Sequence, residues 1–115
     1  MTRRVPTHNE RQLVLKLLSL LKNKIQYQEQ LQAAHVSTWV KDGSLKFEIS
    51  PDISPADDGT RMLAEGEAQD ADGVMIQVLL HVQDGRLSVL EIFKGDNSPI
   101  VRMPTPSEFR VFPSY

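Results

Sequence analysis

Residues 61–94 read RMLAEGEAQDADGVMIQVLLHVQDGRLSVLEIFK, and this stretch decides the fold. Two Asp-Gly pairs, Asp72-Gly73 and Asp84-Gly85, divide it into three extended runs, and Asp-Gly between alternating apolar residues marks a hairpin because both residues tolerate positive φ. A three-stranded antiparallel meander follows, with the apolar run Val74–Val82 at its centre. In the first run Met62, Ala64, Gly66 and Ala68 alternate with Glu65, Glu67 and Gln69. A loop of Ala71-Asp72-Gly73, with Gly73 left-handed, sets Ala68 beside Ile76, Gly66 beside Val78 and Ala64 beside Leu80. A two-residue loop would set Glu65 and Glu67 against Leu80 and Val78, so the longer loop is preferred. Small residues on the apolar face leave room for a helix to lie across it.

The second hairpin, turning at Asp84-Gly85, is predicted to pair Leu87 with Val82, Val89 with Leu80, Glu91 with Val78 and Phe93 with Ile76. Its other face then carries Met75, Gln77, Leu79 and His81 with Ser88, Leu90, Ile92 and Lys94. Both faces are partly apolar, which places this pair in the middle of the sheet. Glu91 falls among apolar residues in that register, and a core ion pair at the sheet edge is the expected way to hold it.

Upstream, Thr7-His8-Asn9-Glu10 is a capping box that starts a helix. Val14, Leu17, Leu18, Leu21 and Ile25 form one apolar stripe with helical spacing, so a helix over residues 8–22 is the candidate to cover the meander. Residues 25–34 are a second short helix or a continuation of the first. His35–Lys41 and Ser44–Ile49 flank Asp42-Gly43, a further hairpin signal, which predicts Val40 beside Leu45, Thr38 beside Phe47 and Val36 beside Ile49. That register sends Trp39 to the polar side of its strand, where either another segment covers it, the preferred expectation, or it is an exposed anchor. Ser50–Thr60 is a flexible loop rich in Pro and Asp. Beyond the turn Gly95–Pro99, Ile100–Met103 is predicted as a short strand, and three prolines keep the rest extended or irregular. The expected architecture is α+β: an N-terminal helix packed on an antiparallel meander of about five strands, residues 1–115 forming a single domain.

Composition narrows the function. The 115 residues contain no cysteine, which excludes disulfides, thiolate metal sites and cysteine nucleophiles. No apolar run approaches the roughly 18 residues of a membrane span, and no signal-peptide core follows the first residues, so a cytoplasmic protein without a membrane partner is expected. The net charge of −2 conceals a split: residues 1–47 balance to +5, residues 48–93 to −8 and residues 94–115 to +1. An acidic middle argues against nucleic acid and for a basic partner. His8, His35 and His81 lack metal-ligand spacing, and Asp70-Ala-Asp72-Gly73 fails as a calcium loop because its glycine comes too early. No phosphate loop, nucleophile elbow or zincin motif occurs, so no enzyme, metal or cofactor is expected.

Glu91-Ile-Phe-Lys94-Gly-Asp96-Asn-Ser98-Pro99 resembles the acid-x-W-K-x-D-x-S-P signature of a family of small bacterial domains of unknown function. Asp42–Phe47 and Asp70–Val74 resemble two further motifs of that family, while Phe93 stands in place of its tryptophan and Asn97 in place of an aromatic. The resemblance implies the helix-plus-meander fold and no enzymatic assignment. It gives Glu91, Lys94 and Asp96 the role of a structural charge cluster where the last strand leaves the sheet. Small size and acidic character resemble the bacterial immunity proteins, which neutralise toxins, often basic nucleases, of contact-dependent inhibition and related systems. The contact surface is expected on Asp52, Asp57, Asp58, Glu65, Glu67, Asp70 and Asp72, with Trp39 as an anchor, the protein being a monomer or weak homodimer. Two other readings stand beside it: a binding module with a small-ligand pocket between helix and sheet, and an enzyme, which would require Glu91, Lys94 and His81 to meet in one cleft.

Overall fold

A computed structural model describes residues 2–39 and 43–114. The elements in order are α1 (His8–Leu18), α2 (Lys24–Gln32), β1 (His35–Thr38), β2 (Leu45–Glu48), β3 (Arg61–Gln69), β4 (Met75–Gln83), β5 (Arg86–Lys94), a 3-10 turn (Pro106–Glu108) and β6 (Arg110–Pro113). The strands form one antiparallel six-stranded sheet in the order β1-β2-β5-β4-β3-β6, and the fold is α+β. The sixth strand, β6, was not anticipated. It closes on the outer edge of β3, where the proline at its end is tolerated because an edge strand has one unpaired side.

The capping box forms as the sequence dictates. Thr7 Oγ1 accepts from the Glu10 amide at 3.2 Å, and Glu10 Oε1 accepts from the Thr7 amide at 2.8 Å. The same carboxylate takes both terminal nitrogens of Arg4 at 2.7 and 2.9 Å, and the backbone of Arg4 pairs with Val36 at the β1 edge. Leu13, Val14, Leu17 and Leu18 are buried. The helix ends at Leu18, earlier than its stripe predicts, where the Ser19 hydroxyl turns back to donate to the Lys16 carbonyl at 2.6 Å. Ile25, read as the end of that stripe, is exposed in the first turn of α2. Residues 24–32 are a separate helix, fixed by Gln30: its Oε1 accepts from the Leu87 amide and its Nε2 donates to the Gly85 carbonyl, both at 2.9 Å.

The β3–β4 register is the predicted one, Ala64 opposite Leu80, Gly66 opposite Val78 and Ala68 opposite Ile76, and Gly73 is left-handed at φ 84°. Small side chains are needed here. A Cβ at Gly66 would stand 3.0 Å from Val78 Cγ2 and 3.1 Å from the Arg110 carbonyl oxygen. The β4–β5 turn is also as predicted, with Asp84 and Gly85 both at positive φ (51° and 75°).

Past that turn the ladder departs from prediction. Val82 pairs with Leu87, but His81 then pairs with Val89, Leu80 with Leu90, Leu79 with Glu91 and Val78 with Ile92. Ser88 is an extra residue, a β-bulge, and one extra residue reverses the faces of everything after it. Leu90, Ile92 and Lys94 point inward, while Val89, Glu91 and Phe93 point outward. The bulge removes the Glu91 carboxylate from the core and buries two aliphatic side chains in its place. Glu91 is therefore no core ion pair.

Three further expectations are corrected. The β1–β2 ladder pairs Val36 with Phe47 and Thr38 with Leu45, two residues out from the predicted register. Faces are kept because the slip is even, and Ser44 fixes the start of β2 by accepting from the Ile92 amide at 2.7 Å and donating to its carbonyl at 3.1 Å. Val40, Lys41 and Asp42, which carried the predicted turn and one of its pairs, lie outside the described residues. The loop 50–60 is fastened rather than flexible: the Ala56 amide donates to the Gly85 carbonyl and the Gly85 amide to the Gly59 carbonyl, both at 2.9 Å. Ile100–Met103 forms no strand, because the Val101 and Arg102 amides donate to the Asp70 carboxylate at 2.7 and 2.9 Å.

Candidate functional site

Burial in β4 strictly alternates, with Ile76, Val78, Leu80 and Val82 inside and Met75, Gln77, Leu79 and His81 partly or fully exposed. Both helices therefore cover one face of the sheet, and among the described residues no element covers the other. The ladders arrange that open face in rows. Phe112, Glu65, Leu79 and Glu91 lie side by side across β6, β3, β4 and β5. A neighbouring row runs Arg110, Glu67, Gln77, Phe93, and another Met62, His81, Val89, Lys46. Glu65 and Glu91 thus flank Leu79 at two strand spacings, about 10 Å apart in the backbone. Trp39 and Phe112 add half-exposed aromatic surface, at 49% and 40% of their full exposure.

The polar groups on this face differ in how far they are engaged. Arg110 pairs with Glu67. His81 Nε2 lies 3.2 Å from Glu91 Oε1, and the two border a recess of about 280 Å³ that Trp39 and Val89 complete. Glu65 has no polar partner among the described residues. Trp39 is half-exposed and among the described residues no other segment covers it, so the exposed alternative describes it rather than the preferred expectation.

The other acidic residues do not gather into one surface. Asp58 sits under α2, where Asn23 donates at 2.7 Å, Tyr27 at 2.5 Å and Arg61 at 2.9 Å. Burial alone would raise its pKa; the hydrogen bonds from Tyr27, Asn23 and Arg61 outweigh that and hold the carboxyl below its ordinary value. Burial first, and Asp58 second, push the Tyr27 hydroxyl well above its own. Asp52 and Asp57 are exposed in the loop 50–60. Asp72 lies beyond the far end of β3, whose length of about 27 Å separates it from Asp57 and Asp58.

Asp70 is withdrawn from the surface altogether, with none of its side chain exposed, and cannot serve as a contact residue. It meets Lys94, whose side chain is 1% exposed, at 2.9 Å; Lys94 also donates to Asp72 at 2.5 Å and to the Pro99 carbonyl at 3.1 Å. Burial would raise the Asp70 pKa, but Lys94 and the amides of Val101, Arg102 and Ala71 overcome it and hold the carboxyl far below the usual range. Burial would lower the Lys94 pKa, and its bonds to Asp72 and Asp70 raise it instead. The structural charge cluster is therefore Asp70, Asp72 and Lys94, not Glu91, Lys94 and Asp96. Glu91 is on the opposite face, and Asp96 accepts from the amide and hydroxyl of Ser98 at 3.0 and 2.6 Å. Glu91, Lys94 and His81 do not meet in one cleft, since Lys94 points to the helix side and the other two to the open side. The sequence held a signal compatible with the missed arrangement: β5 is apolar at Leu87 and then at Leu90 and Ile92, a change of parity that a bulge between them accommodates.

A second concavity of about 280 Å³ opens between the start of α1 and β5. Leu13, Leu90, Ile92, Ile100, Met103 and Pro104 line it, with Asn9 and Glu10 at its rim. Among the described residues no group of three or more His, Asp or Glu is placed to hold a metal, and no helix is long and apolar enough to cross a membrane.

The fold and these sites define a two-layer α+β domain with one face of its sheet packed by helices and the other left open. The family model for a domain of unknown function, DUF6984, matches residues 3–104, and the chain belongs to that family. The match takes in both helices, the first five strands and the buried Lys94 cluster, and ends before β6. No curated protein and no solved structure matches the chain.

Proposed function

We propose that this chain is an immunity protein that binds and neutralises a cognate bacterial toxin in the cytoplasm, the toxin being a basic nuclease of a contact-dependent inhibition or related system. The observation that carries the reading is the open sheet face, where the carboxylates of Glu65, Glu67 and Glu91 surround Leu79 and two half-exposed aromatic rings. Interfaces are built this way, from rigid apolar anchors within a polar rim. Acidic groups on such a face speed the capture of a basic partner and weaken like-charged competitors. The contact surface contracts accordingly from the full acidic set to Glu65, Glu67, Glu91, Trp39 and Phe112, with exposed Asp52 and Asp57 adding long-range attraction.

Co-expression with the toxin domain encoded beside the gene is the test. Rescued growth and a stable complex are expected, and the absence of both sinks the reading. Replacing Glu65, Glu67 and Glu91 together by Gln should slow association about tenfold at low salt and flatten its salt dependence. An unchanged rate and salt dependence would remove the open face from the interface.

The pocket between α1 and β5 favours a second reading, a binding module for a small apolar ligand, since a concavity with an apolar lining and a few polar groups at its rim is the usual form of such sites. Methyl-detected NMR against a set of small apolar fragments checks it. Shifts confined to Ile92, Ile100 and Met103 support the module, and none at those methyls rules it out.

A further inference from the structure

We propose that the recess lined by Trp39, His81, Val89 and Glu91 is the anchor site for an arginine side chain of a protein partner. The choice of a protein as the source rests on the recognition function proposed above; the chemistry of the recess does not. The bulge at Ser88 is what creates the site, because it turns Val89 and Glu91 outward beside His81 and Trp39. His81 Nε2 engages Glu91 Oε1 at 3.2 Å and so fixes the carboxylate, while Oε2 has no partner among the described residues. A fixed carboxylate with one free oxygen, on a partly desolvated surface, is an acceptor for a charge-assisted hydrogen bond. The indole of Trp39 supplies the second half of the site. A guanidinium is planar and weakly hydrated, and it stacks on an aromatic face where an ammonium is held by its point charge alone. Val89 between them offers apolar surface to the methylene stem.

Size and charge point the same way. The recess is shallow and lined by four of the described residues, which suits one side chain. Glu65, across Leu79, leaves a second carboxylate for another basic residue of the same partner. One cation of the chain itself borders the site: Lys46 lies directly opposite Val89, exposed and without an ion pair among the described residues, and it competes with the incoming charge.

Trp39 is the sole tryptophan, so its emission and its indole N–H resonance report the recess directly. The probes are the capped tripeptides acetyl-Gly-Arg-Gly-amide and acetyl-Gly-citrulline-Gly-amide, which match in shape and differ in charge, and the lysine equivalent. The arginine probe should give a saturable shift of the Trp39 indole and His81 ring resonances, with a Kd on the order of millimolar, as one cation–π contact and one ionic hydrogen bond allow. The lysine probe should bind more weakly and citrulline not at all. Glu91→Gln should weaken the arginine probe by about fivefold or more, and Lys46→Gln should tighten it about twofold. Equal responses to arginine and citrulline, or an unchanged Kd in Glu91→Gln, overturn the site. Arginine binding here in a protein that neutralises no toxin would leave the anchor standing and the immunity function refuted. A captured toxin whose affinity ignores Trp39→Ala and Glu91→Gln would do the reverse.

Discussion

Glu91 and Lys94 are three positions apart on one strand, yet they belong to different worlds. Lys94 is inside, fully enclosed, with its ammonium shared between Asp70, Asp72 and a backbone carbonyl. Glu91 is outside, with one oxygen on His81 and the other without a partner among the described residues. The inner ion group fastens the β3–β4 turn to the segment 99–102 and so is an element of architecture. The outer pair fastens only itself, and its charge is available to something else. A conspicuous acid-x-x-basic pattern in one strand therefore need not be one site.

Variants can break or sharpen this contrast. The largest effect should come from Lys94→Met, which strands the Asp70 carboxylate in the interior and should lower Tm by on the order of 10 °C or more. Adding Asp70→Asn to it should restore part of the loss, whereas a Tm unchanged by the first substitution would show the cluster to be dispensable. Acid comes next. Asp70 and Asp58 have pKa values below the ordinary 3.8, so the stability they contribute is complete above that value and is lost as the pH falls beneath it towards their folded-state values. Thermal unfolding from pH 7 to pH 2.5 should fall most steeply below about pH 4, and less steeply in the Lys94→Met/Asp70→Asn variant. For Lys94, whose pKa is raised, the contribution is complete below 10.5 and disappears only above the raised value.

Between the two extremes stands Gly85, at positive φ and with the Ala56 carbonyl oxygen only 2.1 Å from where a Cβ would be. Gly85→Ala should cost about 2 kcal/mol in urea unfolding. The smallest effect is expected on the open face, where Glu65→Gln and Glu91→Gln should each change stability by less than about 0.5 kcal/mol. A larger loss would mean that the outer carboxylates are structural after all.

The parts of the fold that were legible in the sequence are those written in local chemistry. Thr7 and Glu10 announce the helix start, Asp84-Gly85 the tight turn, and the alternation of Ala64, Gly66 and Ala68 the register of β3 against β4. The parts that were not legible depend on distant partners. The apolar pattern of β5 allows a bulge at Ser88 but does not decide it: the shift buries Leu90 and Ile92 and frees Glu91, yet it exposes Val89 and Phe93 and buries Lys94, which Asp70 and Asp72 of the β3–β4 turn then meet. Nothing local to Ile100–Met103 forbids a strand; Asp70 claims its amides across 31 and 32 residues of chain. The candidate site suffered from the same blindness. Glu65, Glu67 and Trp39 were named from charge and type, but Asp58 and Asp70 read as surface acids because their donors, Tyr27 and Lys94, come from other elements.

The bulge at Ser88 has a consequence for how this strand can vary among relatives. A substitution in β5 alters one contact, but pairing Ser88 into an unbroken ladder would turn Val89, Glu91 and Phe93 towards the helices and Leu90, Ile92 and Lys94 towards solvent. Both the buried clasp and the exposed anchor would vanish together. The extra residue, more than the identity of the side chains around it, sets the faces of β5, and a relative shortened by Ser88 alone would keep them, with Val89 still opposite His81 in a regular ladder.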